Sequence, residues 1–338
     1  SFYECKLPGT DLPVYFVRCP SLFDRPSIYG AGGDEHLRFT VLSWGALVLA
    51  QHLGFAPDIV HANDWQTSLM PLLLKTAFAW DRLFERTKSV LTIHNIGHQG
   101  TFDAAKLAET GIAASAQLFH QDDLRAGRVN LLLTGILHAN AITTVSPTYA
   151  REIQTPEGGV GFDSILRSRA DRLVGILNGI DESWDPAHAG HDGDSDRWKG
   201  RHADYIRGAF GLALSRGPLF AIVSRLVHQK GVDLAIDAAE SIVEQGGQLV
   251  VTGQGEPRLE EAMRKLAERH RGQVGVRIGF DGEEARRMFA GSDFLLMPSR
   301  FEPCGLSQMY AQRFGSLPIA HRTGGLADTI EDGRTGFL

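Results

Sequence analysis

The chain has 338 residues, 43% of them hydrophobic and 22% charged, with a formal net charge of −6. That length exceeds one ordinary domain of ~150 residues, so two are expected; no apolar run approaches the ~18 residues of a membrane span, and scattered Lys and Arg leave no basic stripe for a nucleic-acid backbone. Cys5, Cys19 and Cys304 are odd in number and lack CxxC spacing, which argues against a disulfide framework or zinc site and fits a reducing cytoplasm.

In chain order, strand-length apolar runs alternate with helical patterns, the mark of parallel α/β units. Strands are expected at Leu12 to Val17, Asp58 to His61, Ser89 to His94, Ala141 to Ser146 and Leu173 to Leu177, forming a first sheet. Glu35 to Leu53, Thr67 to Ala79 and Gly127 to Ala139 carry apolar residues at helical spacing and would cover its faces. A polar stretch, Asp181 to Gly217, reads as a joint without strand-like runs. A second series follows, with strands at Leu219 to Ser224, Gln248 to Thr252, Val274 to Gly279, Phe294 to Met297 and Leu317 to Ala320. Its helices are expected at Val232 to Glu244, Pro257 to His270 and Glu283 to Ala290. The fold class is therefore α/β, two Rossmann-like parallel-sheet domains facing a cleft, residues 1–177 and 178–338, with 181–217 a polar linker. Both ends of the chain read as those of a fragment.

In open parallel sheets ligands bind beyond the carboxyl ends of the strands, and the informative residues fall there. After the strand ending at Ser224, Arg225 and Lys230 present two cations suited to a leaving diphosphate. Pro298 and Pro303 bracket a turn holding Glu302, read as an acceptor for a sugar hydroxyl. Cys304, Gly305 and Leu306 would begin the next helix and aim their amides at an anion. Gly324 and Gly325 either let backbone approach a ligand or form a plain turn. In the first domain His94 ends a strand and is read as a ligand contact; Asp64 either orients a sugar hydroxyl or caps a helix from Trp65.

Two patterns do not carry chemistry. Gly253-Gln254-Gly255 starts like a dinucleotide fingerprint, but Arg258 occupies its third glycine position. The run Asp192 to Asp196 lacks the glycine and glutamate of a calcium loop, where Arg197 and Ala203 stand, and reads as solvated linker.

The segments HANDWQTS (His61 to Ser68), HNIGHQGTF (His94 to Phe102), TTVSPTYAREI (Thr143 to Ile153), GILNGID (Gly175 to Asp181), SRLVHQKG (Ser224 to Gly231) and PSRFEPCGLSQMYAQRFGSLPIAHRTGGLADT (Pro298 to Thr329) together resemble the bacterial glycogen synthase and plant starch synthase family. Tyr310, eight residues after Glu302, stands where other retaining transferases of this build carry a second glutamate. The resemblance implies the GT-B glycosyltransferase fold and retaining transfer of glucose from ADP-glucose to an α-1,4-glucan, without metal or other cofactor. It implies that Arg225 and Lys230 neutralise the departing ADP and Glu302 holds donor glucose. On the same grounds Cys304, Gly305 and Leu306 meet phosphate or sugar, His94, Asp64 and Asn178 line the glucose pocket, and Phe280 stacks on adenine. Another nucleotide-sugar transferase, or a non-catalytic glucan- or nucleotide-binding fragment, are the alternatives. Asn63, Leu133 and Ser307 depart from the family pattern, as does the missing Lys-x-Gly-Gly-Leu loop. Losing that lysine is expected to lower the rate by on the order of a hundred- to a thousandfold.

Overall fold

The computed structural model describes residues 1–30, 33–191 and 193–338. Strands Phe2–Lys6 (β1) and Pro13–Val17 (β2) form an antiparallel hairpin, with Phe2 opposite Val17. The expectation that the second of these joins the first parallel sheet is therefore corrected. Its partner, FYECK, is mostly exposed and mixes Phe2, Tyr3 and Cys5 with Glu4 and Lys6, so no clean alternation betrayed it.

The first parallel sheet contains Ile59–Asn63 (β3), Lys88–Ile93 (β4), Ala141–Thr144 (β7) and Leu173–Gly175 (β8), in the order β3-β4-β7-β8. Between them, Thr101–Asp103 (β5) and Arg128–Asn130 (β6) pair antiparallel. The helix Glu35–Leu53 has the expected bounds and ends on Gly54 in a left-handed conformation, the usual helix stop. The single helix expected over Thr67 to Ala79 is instead two pieces, Asp64–Thr67 and Met70–Lys75, because Pro71 lacks the amide needed to continue a helix and sits in its first turn. Likewise Gly127 to Ala139 opens as strand β6. Asn130 then accepts from the Leu133 amide at 2.9 Å and starts the helix Leu131–His138. Leu133 is fully buried there, as an apolar side chain favours.

The second sheet is five parallel strands, Leu219–Val223 (β9), Gln248–Gly253 (β10), Val274–Ile278 (β11), Phe294–Met297 (β12) and Leu317–Ala320 (β13), ordered β11-β10-β9-β12-β13. Both faces are covered. Ile222, Leu249 and Val251 pack on one side with Val232, Ala235 and Met263, while Ala221, Val223 and Val250 pack on the other with Trp198, Met288 and Phe314. Trp198 belongs to a fifteen-residue helix, Ser195–Ala209, lying inside the stretch read as a linker. Asp194 caps it by accepting from the Arg197 amide at 3.0 Å, and Trp198, Ile206 and Arg207 are buried. Asp192, the first acid of the run discounted as a metal site, lies outside the described residues.

Compact units divide the chain as Ser1–Thr144 with Ala150–Val174, and Val145–Tyr149 with Gly175–Leu338. The short segment 145–149 joins the second unit through its hydrogen bonds: Ser146 Oγ donates to the Pro303 carbonyl at 2.7 Å, and Thr148 donates through its amide and hydroxyl to Asp328. No helix among the described residues is long and apolar enough to cross a membrane.

Candidate active site

In the second unit β9 and β12 are neighbours, so the loops leaving their carboxyl ends meet. Glu302, in the loop after β12, is 4% exposed, and its Oε2 accepts from Lys230 Nζ at 2.5 Å and from Ser299 Oγ at 3.1 Å. A carboxylate that far from water needs this pairing, and removing either partner would leave a buried charge uncompensated. Its Oε1 accepts from nothing among the described residues. Arg225 is exposed, and its guanidinium has no ion pair among the described residues. The two cations read together from sequence thus differ: Lys230 is already held by Glu302, and Arg225 is free to meet an anion.

A second pair, which sequence did not single out, clasps the same two loops. Arg300 donates to both carboxylate oxygens of Asp233 at 2.8 and 2.7 Å and to the His228 carbonyl at 2.9 Å. The guanidinium holds the Asp233 carboxyl down to about 2. The Arg300 amide also donates to the Gln229 carbonyl at 2.9 Å, and the Gln229 amide side chain to the Phe301 carbonyl at 3.3 Å. Gly231, at φ 64°, permits the approach, since a Cβ there would lie 2.0 Å from the Pro298 carbonyl oxygen.

Beyond Glu302 the chain differs from expectation. The helix starts at Ser307, so Cys304, Gly305 and Leu306 form the turn before it. Their backbone amides still donate to nothing among the described residues. Gly305 has φ 72°, which a side chain would strain, and Gln308 Nε2 fixes the turn by donating to the Cys304 carbonyl at 3.0 Å. The Cys304 thiol is buried, which pushes it up against deprotonation, while the Asn178 backbone N–H donates to its sulfur. Gly324 and Gly325 pack tightly on neighbouring backbone. A Cβ at the first would lie 1.9 Å from the Glu302 carbonyl oxygen and one at the second 2.2 Å from that of Cys304. The Gly325 amide donates to the Glu302 carbonyl at 3.1 Å, so this pair shapes the turn from behind. The Tyr310 ring stacks on Trp184, centroids 3.7 Å apart and planes 13° from parallel. Burial, then the nearby Asp181, pushes its hydroxyl up. Phe280, after β11, is 70% exposed, and its ring is open to a flat ligand. Gly253 and Gly255 have a structural cause unrelated to nucleotides: a Cβ at either would strike the carbonyl of Ser224 or Leu226.

In the first unit Asp64 has φ 54°, rare outside glycine. Of the two roles read for it, the helix cap is not seen. Its Oδ1 accepts the His94 amide at 2.7 Å and its Oδ2 lies 2.9 Å from His94 Nδ1, while the following short helix has no side-chain cap. The Asp64 hydrogen bond pushes the His94 imidazole up despite partial burial. The tautomer with the proton on Nδ1 is thereby favoured and Nε2 is left uncommitted. Beside them lies a cavity of about 550 Å3 lined by Tyr29, Glu35, Trp65, Gln66 and Asn95 among others, aromatic faces mixed with hydrogen-bonding groups as sugars require. Gly100, at φ 62°, sits on the Trp65 ring, 2.2 Å from a would-be Cβ. Among the described residues no group of three or more His, Cys, Asp and Glu is arranged to hold a metal.

Residues 1–168 match the family described as starch synthase catalytic domain, and residues 211–338 match glycosyl transferases group 1. Glycogen synthase 1 of Bradyrhizobium diazoefficiens is 52% identical over 97% of this chain and 73% of its own length. The glycogen synthase of Pseudomonas putida is 50% identical over 99% of the chain and 67% of its own. Among solved structures, the catalytic domain of starch synthase IV from Arabidopsis thaliana, bound to ADP and acarbose, superposes with a TM-score of 0.88 at 36% identity, covering 98% of this chain and 70% of that one. Sucrose-phosphate synthase from Thermosynechococcus elongatus shares the fold at a TM-score of 0.61 and 16% identity, over 94% and 68% of the two chains. With its two parallel-sheet units of the GT-B type, the chain belongs to the glycogen and starch synthase family of glycosyltransferases.

Proposed function

We propose that this chain transfers glucose from ADP-glucose to the non-reducing 4-hydroxyl of an α-1,4-glucan with retention at the anomeric carbon. One observation carries the assignment of the donor site: the buried Lys230–Glu302 pair beside three uncommitted backbone amides. Arg225 and Lys230 would meet the charge that develops on the diphosphate as the bond to glucose breaks, so on this reading no metal and no other cofactor is needed. Lys230 carries three protons and can serve a phosphate oxygen while keeping Glu302. Glu302 would accept a glucose hydroxyl at Oε1, and the amides of Cys304, Gly305 and Leu306 would bind phosphate or sugar. His94, steadied by Asp64, would meet the donor glucose, with Asn178 lining the same pocket and Phe280 stacking on adenine. Gly324 and Gly325 would also let backbone approach the ligand, and Tyr310, stacked on Trp184, would belong to the same substrate-binding set. Three free cysteines support a reducing, cytoplasmic setting.

The test is incorporation of labelled glucose into glycogen from ADP-glucose against UDP-glucose, with Glu302→Gln beside the unaltered chain. ADP-glucose should be preferred, and the variant should lose about a hundredfold or more in kcat/KM while its circular dichroism is unchanged. Incorporation favouring UDP-glucose refutes the donor, and unchanged activity in the variant refutes the role of Glu302.

A further inference from the structure

The turn 303–306 is held by its carbonyls. Ser146 Oγ donates to the Pro303 carbonyl at 2.7 Å, and because the same oxygen accepts the Tyr149 amide at 3.1 Å, its one proton is committed there. Gln308 Nε2 lies 3.0 Å from the Cys304 carbonyl oxygen, 3.1 Å from that of Gly305 and 3.0 Å from Thr329 Oγ1, so two protons serve three acceptors. Thr329 donates its own proton to the Gly325 carbonyl at 2.6 Å, which makes its oxygen an acceptor toward Gln308. Ser146 and Gln308 are both wholly buried.

The orientation of Gln308 follows from these oxygens, because turning its amide over would set Oε1 against two carbonyls. As it stands, Oε1 is buried with no hydrogen-bond partner among the described residues. Packing alone gains nothing from an orphan acceptor; the carbonyls of the turn are what require the nitrogen. Gly305 makes room for it, since a Cβ there would lie 2.4 Å from Gln308 Oε1. A trans peptide is planar, with its C=O and the following N–H pointing in opposite directions. Holding the carbonyls of Pro303, Cys304 and Gly305 on one side therefore turns the N–H groups of Cys304, Gly305 and Leu306 to the other, and these are the three amides that donate to nothing among the described residues. The Glu302 carbonyl is held too, by the Gly325 amide at 3.1 Å, but the nitrogen after it is that of Pro303 and has no proton to aim.

We infer that Gln308 and Ser146 are positioning residues for the diphosphate: by binding the carbonyls on the buried side of the turn they aim its three amides at the anion. The inference rests on the reading of this turn as a contact of the nucleotide sugar. Both side chains act through the backbone, from behind it. Amides already oriented need no reorganisation when the anion arrives or when charge grows on it as the bond to glucose breaks.

The experiment measures the dissociation constants of ADP and of inorganic pyrophosphate by titration calorimetry on the full chain, with Gln308→Met, Ser146→Ala and, as a control, Gln312→Met. Gln312 stands one turn further along the helix Ser307–Arg313, and its Nε2 donates to oxygens of Thr329 and Thr335 with no hydrogen bond to residues 303–306. Gln308→Met should weaken binding of both anions by about tenfold, since two of the three amides lose their aim, and Ser146→Ala by about threefold to fivefold, since one does. Gln312→Met should leave both constants unchanged, even where its Tm falls as far as that of Gln308→Met. Unchanged affinities in Gln308→Met and Ser146→Ala, or an equal loss in Gln312→Met, would overturn the inference. Should circular dichroism show Gln308→Met unfolded, Ser146→Ala decides. An unaltered chain that binds pyrophosphate but does not use ADP-glucose would refute the proposed function while the variants still decide the inference on pyrophosphate, and one that binds neither anion would overturn both.

Discussion

Asp64 and His94 stand 30 residues apart, each legible as a polar residue at a strand end, yet their meaning lies in the two hydrogen bonds between them. Since Asp64 raises the imidazole's proton affinity in the folded chain, this pair stabilises the fold fully below the ordinary histidine value of ~6.5 and loses its contribution as pH rises through the raised folded value. Asp64→Asn should therefore lower the His94 titration midpoint seen by NMR of its ring and flatten that part of the pH–stability curve. A midpoint that stays put would show the carboxylate is not the cause. Glu302 was legible as a functional acid from its bracketing prolines and following glycine, whereas Ser299 and the identity of its cation were not. Lys230 lies 72 residues away, and nothing in either motif alone says that it is already paired.

Between elements, the loops after β9 and β12 act as one piece. Arg300 and Asp233 hold the backbone on both sides of Lys230 and Glu302, and Gly231 lets the loops touch. Asp233→Asn should cost about tenfold in kcat/KM through a raised KM for the nucleotide sugar, with kcat less affected and only a few degrees lost in Tm, since charge-assisted bidentate bonds chiefly fix geometry at a partly exposed site. Loss of Tm with unchanged kinetics would make the pair merely structural. Because the folded Asp233 carboxyl sits at about 2, its contribution is complete above the usual ~3.9 and fades as pH falls toward that lower value. The same scale explains the misread elements. Pro71 splits a helix whose apolar spacing runs through it, and the helix Ser195–Ala209 buries only three side chains among fifteen residues, too few for its polar sequence to announce itself.

Across the whole chain, a ligand that binds only the folded form should raise its stability by mass action. ADP at about a hundred times its dissociation constant should add ~2.7 kcal/mol, visible as a rise in Tm by scanning fluorimetry, and Lys230→Met should shrink that rise at equal ADP. An equal shift in the variant would remove Lys230 from the diphosphate site. What the sequence determined by itself was the alternation of strand and helix, the restart of that pattern in a second sheet, and the strand-end positions of Asp64, His94, Arg225, Lys230 and Glu302, because apolar periodicity and Gly or Pro punctuation act over a few residues. Only the tertiary structure decided which of these residues are partners, which glycines pack against backbone carbonyls, and that Tyr310 packs on Trp184. Those facts depend on strand order: β9 lies beside β12, and that adjacency brings together charges and carbonyls far apart in the chain.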